Sequence, residues 1–127
     1  MKELAAKISS SELEVLEVLW GSQEPMPIAA IRTALEGTHS WDASTVKTLL
    51  RRLREKGAVD CEKRDVFYYW PLLSREEYRR WSTQSFLQRV YQGSARDLVA
   101  GLVASCSLSP EDLNELRGIL YPQEGHG

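Results

Sequence analysis

The spacing of apolar residues changes period twice along the chain, from about 3.6 to 2 near Ala58 and back again after Pro71, and this alternation limits the fold more than any other feature. Three short helical patterns come first. Ser9 with Glu12 three positions later forms a capping box, after which Leu13, Leu16 and Trp20 recur at i, i+3 and i+7 until Gly21. Pro25 and Pro27 bracket a turn, and Pro27 takes the first position of a helix with Ile28, Ile31 and Leu35 inward, ended by Gly37. Asp42 or Ser44 caps a third helix with the stripe Val46, Leu49, Leu50 and Leu53, stopped by Gly57 at the usual glycine position. Ala58 to Lys63 and Val66 to Trp70 are rich in strand formers, and with Arg64-Asp65 between them they read as an antiparallel hairpin closed by Pro71. Three helices and then a hairpin is the order of a winged helix-turn-helix domain; a generic α+β miniature is the other arrangement the pattern allows.

Past Pro71 the chain is helical again. Ser74 with Glu77 opens a helix carrying Tyr78, Trp81, Phe86, Val90 and Tyr91; Gly93-Ser94 interrupts it. Leu98, Val99, Leu102 and Val103 line a second, small-residue helix, and Ser109-Pro110-Glu111-Asp112 starts a third with Leu113, Leu116, Ile119 and Leu120 inward. Three amphipathic helices of this length cannot enclose a core of their own, so their stripes must be covered, most economically by an identical copy. The fold class expected is therefore mostly α. Residues 1–71 are expected to form the winged-helix domain, 74–122 a helical dimerisation arm, and 123–127 a disordered tail, with the first eight residues frayed.

Composition removes several classes of function. A chain of 127 residues with 43% hydrophobic and 27% charged residues is one ordinary domain with an arm, too short for two enzyme domains. No eighteen apolar residues run together, and the first twenty lack a basic start followed by an apolar block, which predicts a cytoplasmic protein with no membrane insertion. Cys61 and Cys106 lie far apart without a Cys-x-x-Cys spacing, so neither a disulfide framework nor a zinc site is expected. His39 and His126 have no carboxylate at a helical offset and no glycine-rich phosphate loop is present. No cofactor, metal or catalytic residue is expected, and the two cysteines read as structural or incidental.

The net charge of −2 conceals a local excess. Ala43 to Arg64 holds seven cations against three anions, hence +4, which leaves −6 on the remainder. Subtracting the leucine stripe from the third helix leaves an outward face of Ser44, Thr45, Lys47, Thr48, Arg51, Arg52 and Glu55. Small hydroxyl side chains at the start of a helix allow close approach to base edges, and cations one turn later suit phosphate or guanine, a gradient fitted to a helix that enters the major groove by its N-terminus. The helix dipole adds attraction for phosphate there. Taken alone, such a face is the ordinary solvated side of a helix; its place after two short helices and before a hairpin points to DNA. Lys63 and Arg64 at the hairpin tip extend the candidate contacts to the neighbouring phosphates, with Asp65 opposing them. Of Tyr68, Tyr69 and Trp70, at least two are expected to pack inward.

Read together, these stretches carry a resemblance. The run Ile8-Ser9-Ser10-Ser11-Glu12-Leu13-Glu14-Val15-Leu16 with Trp20, then Trp41, then Thr45-Val46-Lys47-Thr48-Leu49-Leu50-Arg51-Arg52-Leu53 and Lys56-Gly57, resembles the BlaI/MecI/CopY family of bacterial penicillinase-type repressors. It continues through Phe67-Tyr68-Tyr69, Pro71-Leu72, Tyr91-Gln92-Gly93-Ser94 and Leu108-Ser109 with Leu113, Leu116 and Ile119-Leu120, spanning almost the whole chain. The resemblance implies a homodimeric repressor of palindromic operators of the TACA/TGTA kind, ahead of genes for antibiotic resistance, peptidoglycan enzymes or copper handling. It also implies relief of repression by proteolysis of the arm, set off by a membrane-bound sensor metalloprotease. In the β-lactam branch the well-known members are cut at an Asn-Phe bond; the corresponding position here is Gly101-Leu102, a departure from that rule. The copper branch ends in Cys-x-Cys pairs, where this sequence reads Gln123-Glu124-Gly125-His126-Gly127, so copper sensing of that type is not expected.

Three rival readings compete with this one. A regulator answering to a small molecule requires a pocket, one answering to redox state requires a reactive cysteine, and a winged-helix module for protein contacts requires an apolar or acidic outward face on the third helix.

Overall fold

In the computed structural model, which describes residues 7–122, helix α1 spans Ser10–Trp20 and opens with the expected capping box between Ser9 and Glu12. Its inward face differs from the expected stripe. Val15, Leu16 and Leu19 are buried, while Leu13 and Trp20 are only half-buried, and Glu12 is the one buried charged side chain among the described residues. Glu12 is kept there by three hydrogen bonds to two residues: its Oε1 accepts from the Ser9 backbone N–H at 2.8 Å and from the Lys56 ammonium, which also bonds the Lys7 carbonyl at 2.6 Å, while its own N–H donates to Ser9 Oγ. Hydrophobic periodicity has no means of registering a buried carboxylate whose partner is 44 residues away.

The stretch read as a turn between Pro25 and Pro27 is instead a two-residue strand, β1 (Met26–Pro27), followed directly by α2 (Ile28–Leu35) with Pro27 as N-cap residue. Proline has no N–H for a ladder, and β1 lies at the sheet edge, where that loss is tolerated. Helix α3 (Ala43–Glu55) buries the expected Val46, Leu49, Leu50 and Leu53. It ends in a Schellman motif: Gly57 at φ +79° donates to the Arg54 carbonyl at 3.0 Å and Ala58 to that of Leu53 at 2.9 Å. A side chain at position 57 would be strained by that φ alone.

Strands β2 (Val59–Lys63) and β3 (Phe67–Pro71) form the hairpin, with Lys63 opposite Phe67 and Cys61 opposite Tyr69. β3 also pairs with β1, so the sheet order is β1-β3-β2. Alternation along β3 buries Tyr69 beneath the helices and leaves Tyr68 and Trp70 half-buried, while Phe67, on the face of Tyr69 but nearer the turn, is exposed. Ile31, Leu35, Ala58, Val59 and Leu73 complete a core with the stripes of α1 and α3. Truncating a fully buried residue such as Leu50 to alanine is expected to cost about 2–5 kcal/mol.

Helices α4 (Arg75–Tyr91), α5 (Ala95–Ala104) and α6 (Pro110–Leu120) make up the rest. Each begins with a serine cap: Ser74 exchanges bonds with Glu77, Ser94 accepts from Asp97 and Ser109 exchanges bonds with Asp112. The chain divides into two compact units between Ser85 and Phe86, within α4. The reason is the first half of α4. Tyr78 and Trp81, assigned above to the dimerisation arm, pack against the winged core, Tyr78 at 5.8 Å from the Trp20 ring, whose Nε1–H donates to the Leu73 carbonyl at 2.8 Å. Arg75 adds a bond to Glu17 at 2.8 Å. The tail 123–127, and residues 1–6 of the segment expected to fray, lie outside the described residues.

Candidate nucleic-acid interface

The start of α3 is built from its preceding loop. Asp42 accepts from the Thr45 N–H at 2.8 Å, and that backbone bond is the main reason its carboxyl is held below the ordinary value. An ionised carboxylate therefore already occupies this helix end, which reduces the attraction for phosphate ascribed to the dipole. Ahead of it, Trp41 stacks on His39 with ring centroids 4.0 Å apart, His39 Nε2 lies 3.3 Å from Glu14, and Arg32 donates to the Trp41 carbonyl at 3.3 Å. These contacts tie the entry of α3 to both α1 and α2.

With Val46, Leu49, Leu50 and Leu53 turned inward, Ser44, Thr45, Lys47, Arg51 and Arg52 are exposed and Thr48 is half-buried. The cations are not equivalent. Arg51 shares a surface ion pair with Glu55 at 3.3 Å, Arg54 reaches across to Asp60 at 3.5 Å, and Lys56 is consumed by Glu12, whereas Lys47 and Arg52 make no ion pair among the described residues. Lys63 and Arg64 are exposed on the wing, Lys63 at 5.8 Å over the Phe67 ring and Arg64 at 4.8 Å over Tyr68 with a bond to Glu62 at 3.4 Å. Two clefts separate α3 from the wing. One of about 330 Å³ has Ser44, Thr48, Arg54 and Cys61 in its walls, and the other, about 430 Å³, has Pro27, Ile28, Lys63 and Val66. Lys47, Phe67 and Tyr69 belong to both.

The penicillinase repressor family model matches residues 8–121, from the capping box of α1 to just past α6. The chain belongs to the penicillinase repressor family. It is 36% identical over 115 residues to a penicillinase repressor of Bacillus licheniformis, covering 90% of this chain and 89% of the relative. It is 30% identical to the methicillin resistance regulatory protein MecI of Staphylococcus aureus (strain N315), covering 90% of this chain and 93% of that one. A penicillinase repressor of Staphylococcus aureus is 24% identical over 94% of this chain and 95% of its own length.

In this member of the penicillinase repressor family, Ser44, Thr48 and Arg51 line the first cleft, Lys63 the second and Lys47 both, whereas Thr45, Arg52 and Arg64 line neither. The dimerisation candidates divide differently. Tyr78 and Trp81 are half-buried against the winged core, whereas Phe86, Val90, Val99, Leu102, Val103, Leu113, Leu116 and Leu120 are exposed and Leu98 is half-buried. Gly101 and Leu102 lie inside α5, where a Cβ on Gly101 would stand 3.1 Å from the Tyr91 hydroxyl. Residues overlooked in the sequence are Phe67 and Val66, 45% and 50% exposed at the outer end of the wing, and Glu12 with Lys56 behind α3. Strand alternation alone could have put Phe67 on the face of Tyr69. Among the described residues no group of three metal-ligating side chains occurs and no helix is long and apolar enough to cross a membrane.

Proposed function

We propose that the chain is a sequence-specific transcriptional repressor that binds a palindromic DNA operator as a homodimer and is released when its C-terminal arm is cut. The outward face of α3 carries this reading: hydroxyls at Ser44, Thr45 and Thr48, then cations at Arg51 and Arg52, presented with every large apolar side chain of the helix turned inward. Family membership supports repression, and the names of the relatives support genes of β-lactam resistance as targets. The exposed apolar residues of α5 and α6 support a second copy as the arm's cover. A single wing domain with a +4 segment on an acidic body binds a half-site modestly and with strong salt dependence; joining two raises the local concentration of the second. Cutting at Gly101-Leu102, through the product of a membrane-bound sensor metalloprotease, removes that gain without touching a DNA contact.

Binding to duplexes selected from a random pool tests this. Thr48→Ala is expected to weaken the selected site by about 1–3 kcal/mol and leave random duplex unchanged, while Arg52→Ala weakens both and flattens the salt slope. Equal losses on both duplexes for Thr48→Ala would remove base reading from α3. Failure of the intact chain to enrich any sequence would remove repression by operator binding altogether.

A further inference from the structure

Phe67 is an exposed aromatic ring that the fold has no internal use for. It shares a face of β3 with Tyr69, which is buried, but stands two residues further out, where no helix reaches; Val66 beside it is equally bare. It lies on the outermost rung of the wing, opposite Lys63 and next to the turn, on the divide between the two clefts, with the Lys63 ammonium 5.8 Å from its ring. Ile28, Val66, Phe67 and Tyr69 make an apolar floor. Its rims are cationic, Lys47 and Arg54 from the helix side and Lys63 from the wing side, with Asp65 as the acidic residue of the lining. An apolar floor between cationic rims complements a chain of phosphates joined by deoxyribose, whose faces are apolar and whose charges are regularly spaced on the outside. Base edges would require polar partners on that floor, and Phe67 offers none.

We infer that the two clefts form one track for a single sugar-phosphate strand of duplex DNA, with Phe67 packed on a deoxyribose face between phosphates held by Lys47 and Lys63. This rests on the DNA-binding reading above and adds a contact that supplies affinity without sequence information. The strand enters beside the hydroxyl end of α3, so the track fixes how deeply Thr45 and Thr48 reach toward bases.

The test uses the full chain, fluorescent selected and random duplexes, and a salt series. Phe67→Ala is expected to weaken both duplexes by the same factor, about five- to tenfold for the lost apolar contact, with an unchanged salt slope. Lys47→Ala and Lys63→Ala are each expected to lower the salt slope by about 1. Neutral methylphosphonates placed one at a time along the selected site then locate the track in the native protein, independently of how Phe67→Ala folds: the positions that abolish the effects of Lys47→Ala and Lys63→Ala should flank one sugar on one strand. A loss for Phe67→Ala confined to the selected duplex, no loss on either, or coupling of the two lysines to different strands overturns the track while leaving the repressor reading in place. Wild-type protein that binds neither duplex sinks both.

Discussion

Replacing Lys56 by methionine leaves the Glu12 carboxylate, only 1% exposed, with the Ser9 N–H as its remaining hydrogen-bond partner. Removing one member of a buried ion pair costs about 3–5 kcal/mol, and because the Ser9 bond survives the lower end applies, about 3 kcal/mol, or roughly 12–24 °C in Tm for a domain of 60–100 residues. Glu12→Gln is expected to cost less, about 1–2 kcal/mol, because an amide oxygen still accepts from Ser9 and the Lys56 side chain, 27% exposed, can turn its ammonium to water. The two variants also part in their pH dependence. In the native protein burial pushes the Glu12 carboxyl up, but the Lys56 bond and the Ser9 backbone bond outweigh it and hold the group below its ordinary 4.5. A depressed value stabilises the fold above about pH 4.5, and that stability is lost as pH falls through the folded value. In Lys56→Met burial prevails, the folded value rises above the unfolded one, and the variant gains stability as pH falls toward 4.5, so its deficit narrows. Tryptophan fluorescence is the assay, since Trp20, Trp41, Trp70 and Trp81 all lie before the division at Ser85 and report the winged unit alone. Urea melts between pH 4 and 8 showing a pH-independent deficit for Lys56→Met, or a larger loss for Glu12→Gln than for Lys56→Met at pH 7, would refute this account of the pair.

A chain ending at Ser85 keeps Tyr78 and Trp81 on the winged core and is expected to sediment as a folded monomer that binds the selected duplex far more weakly than the intact chain; a dimer of undiminished affinity would refute the arm. Gly101→Ala is expected to stabilise α5 by somewhat less than the ~1 kcal/mol that separates the two residues in a helix, because the Tyr91 hydroxyl, 3.1 Å from the new Cβ, must shift. If the arm is cut there, mass spectrometry of induced cells should show slower loss of the full chain for this variant; equal rates would separate cleavage from the stability of α5.

What the sequence disclosed depended on whether a partner was near or remote. Helix α3 was legible because its stripe, its Asp42 cap and its Gly57 stop are all local. The face of α1 was read a step away from its true direction, since a leucine at 13 looked inward by spacing while the carboxylate at 12 was the group buried, held by a lysine from the other end of the motif. That same lysine counted toward the cationic segment, yet it is spent inside the fold. β1 was invisible because two residues containing a proline carry no period, and it exists only because β3 offers an edge. The reach of α4 into the winged unit was missed since Tyr78 and Trp81 have the same spacing as a dimer stripe; only the placement of Trp20 and Leu73 shows which surface they meet. Of the candidate interface, the helix face was written in the pattern, whereas the exposure of Phe67 depends on where the helices stop.

The pairing of Met26 with Tyr69 and Pro27 with Tyr68 makes the wing a cantilever. Its strand β3 is held on both sides at Tyr68 and Tyr69, by β2 and by a strand that leads straight into α2, whereas its tip is held by little beyond the Arg64 N–H to Val66 carbonyl bond at 2.9 Å and ring contacts on the surface. Load applied at the tip therefore bends the outer rungs before it reaches the core. Amide exchange should record the gradient: Tyr69 opens only with global unfolding, while Lys63, Arg64 and Val66 exchange through local excursions of much lower free energy. The outer rungs can then follow the contour of a bound duplex, and related chains can vary the tip at little cost to folding.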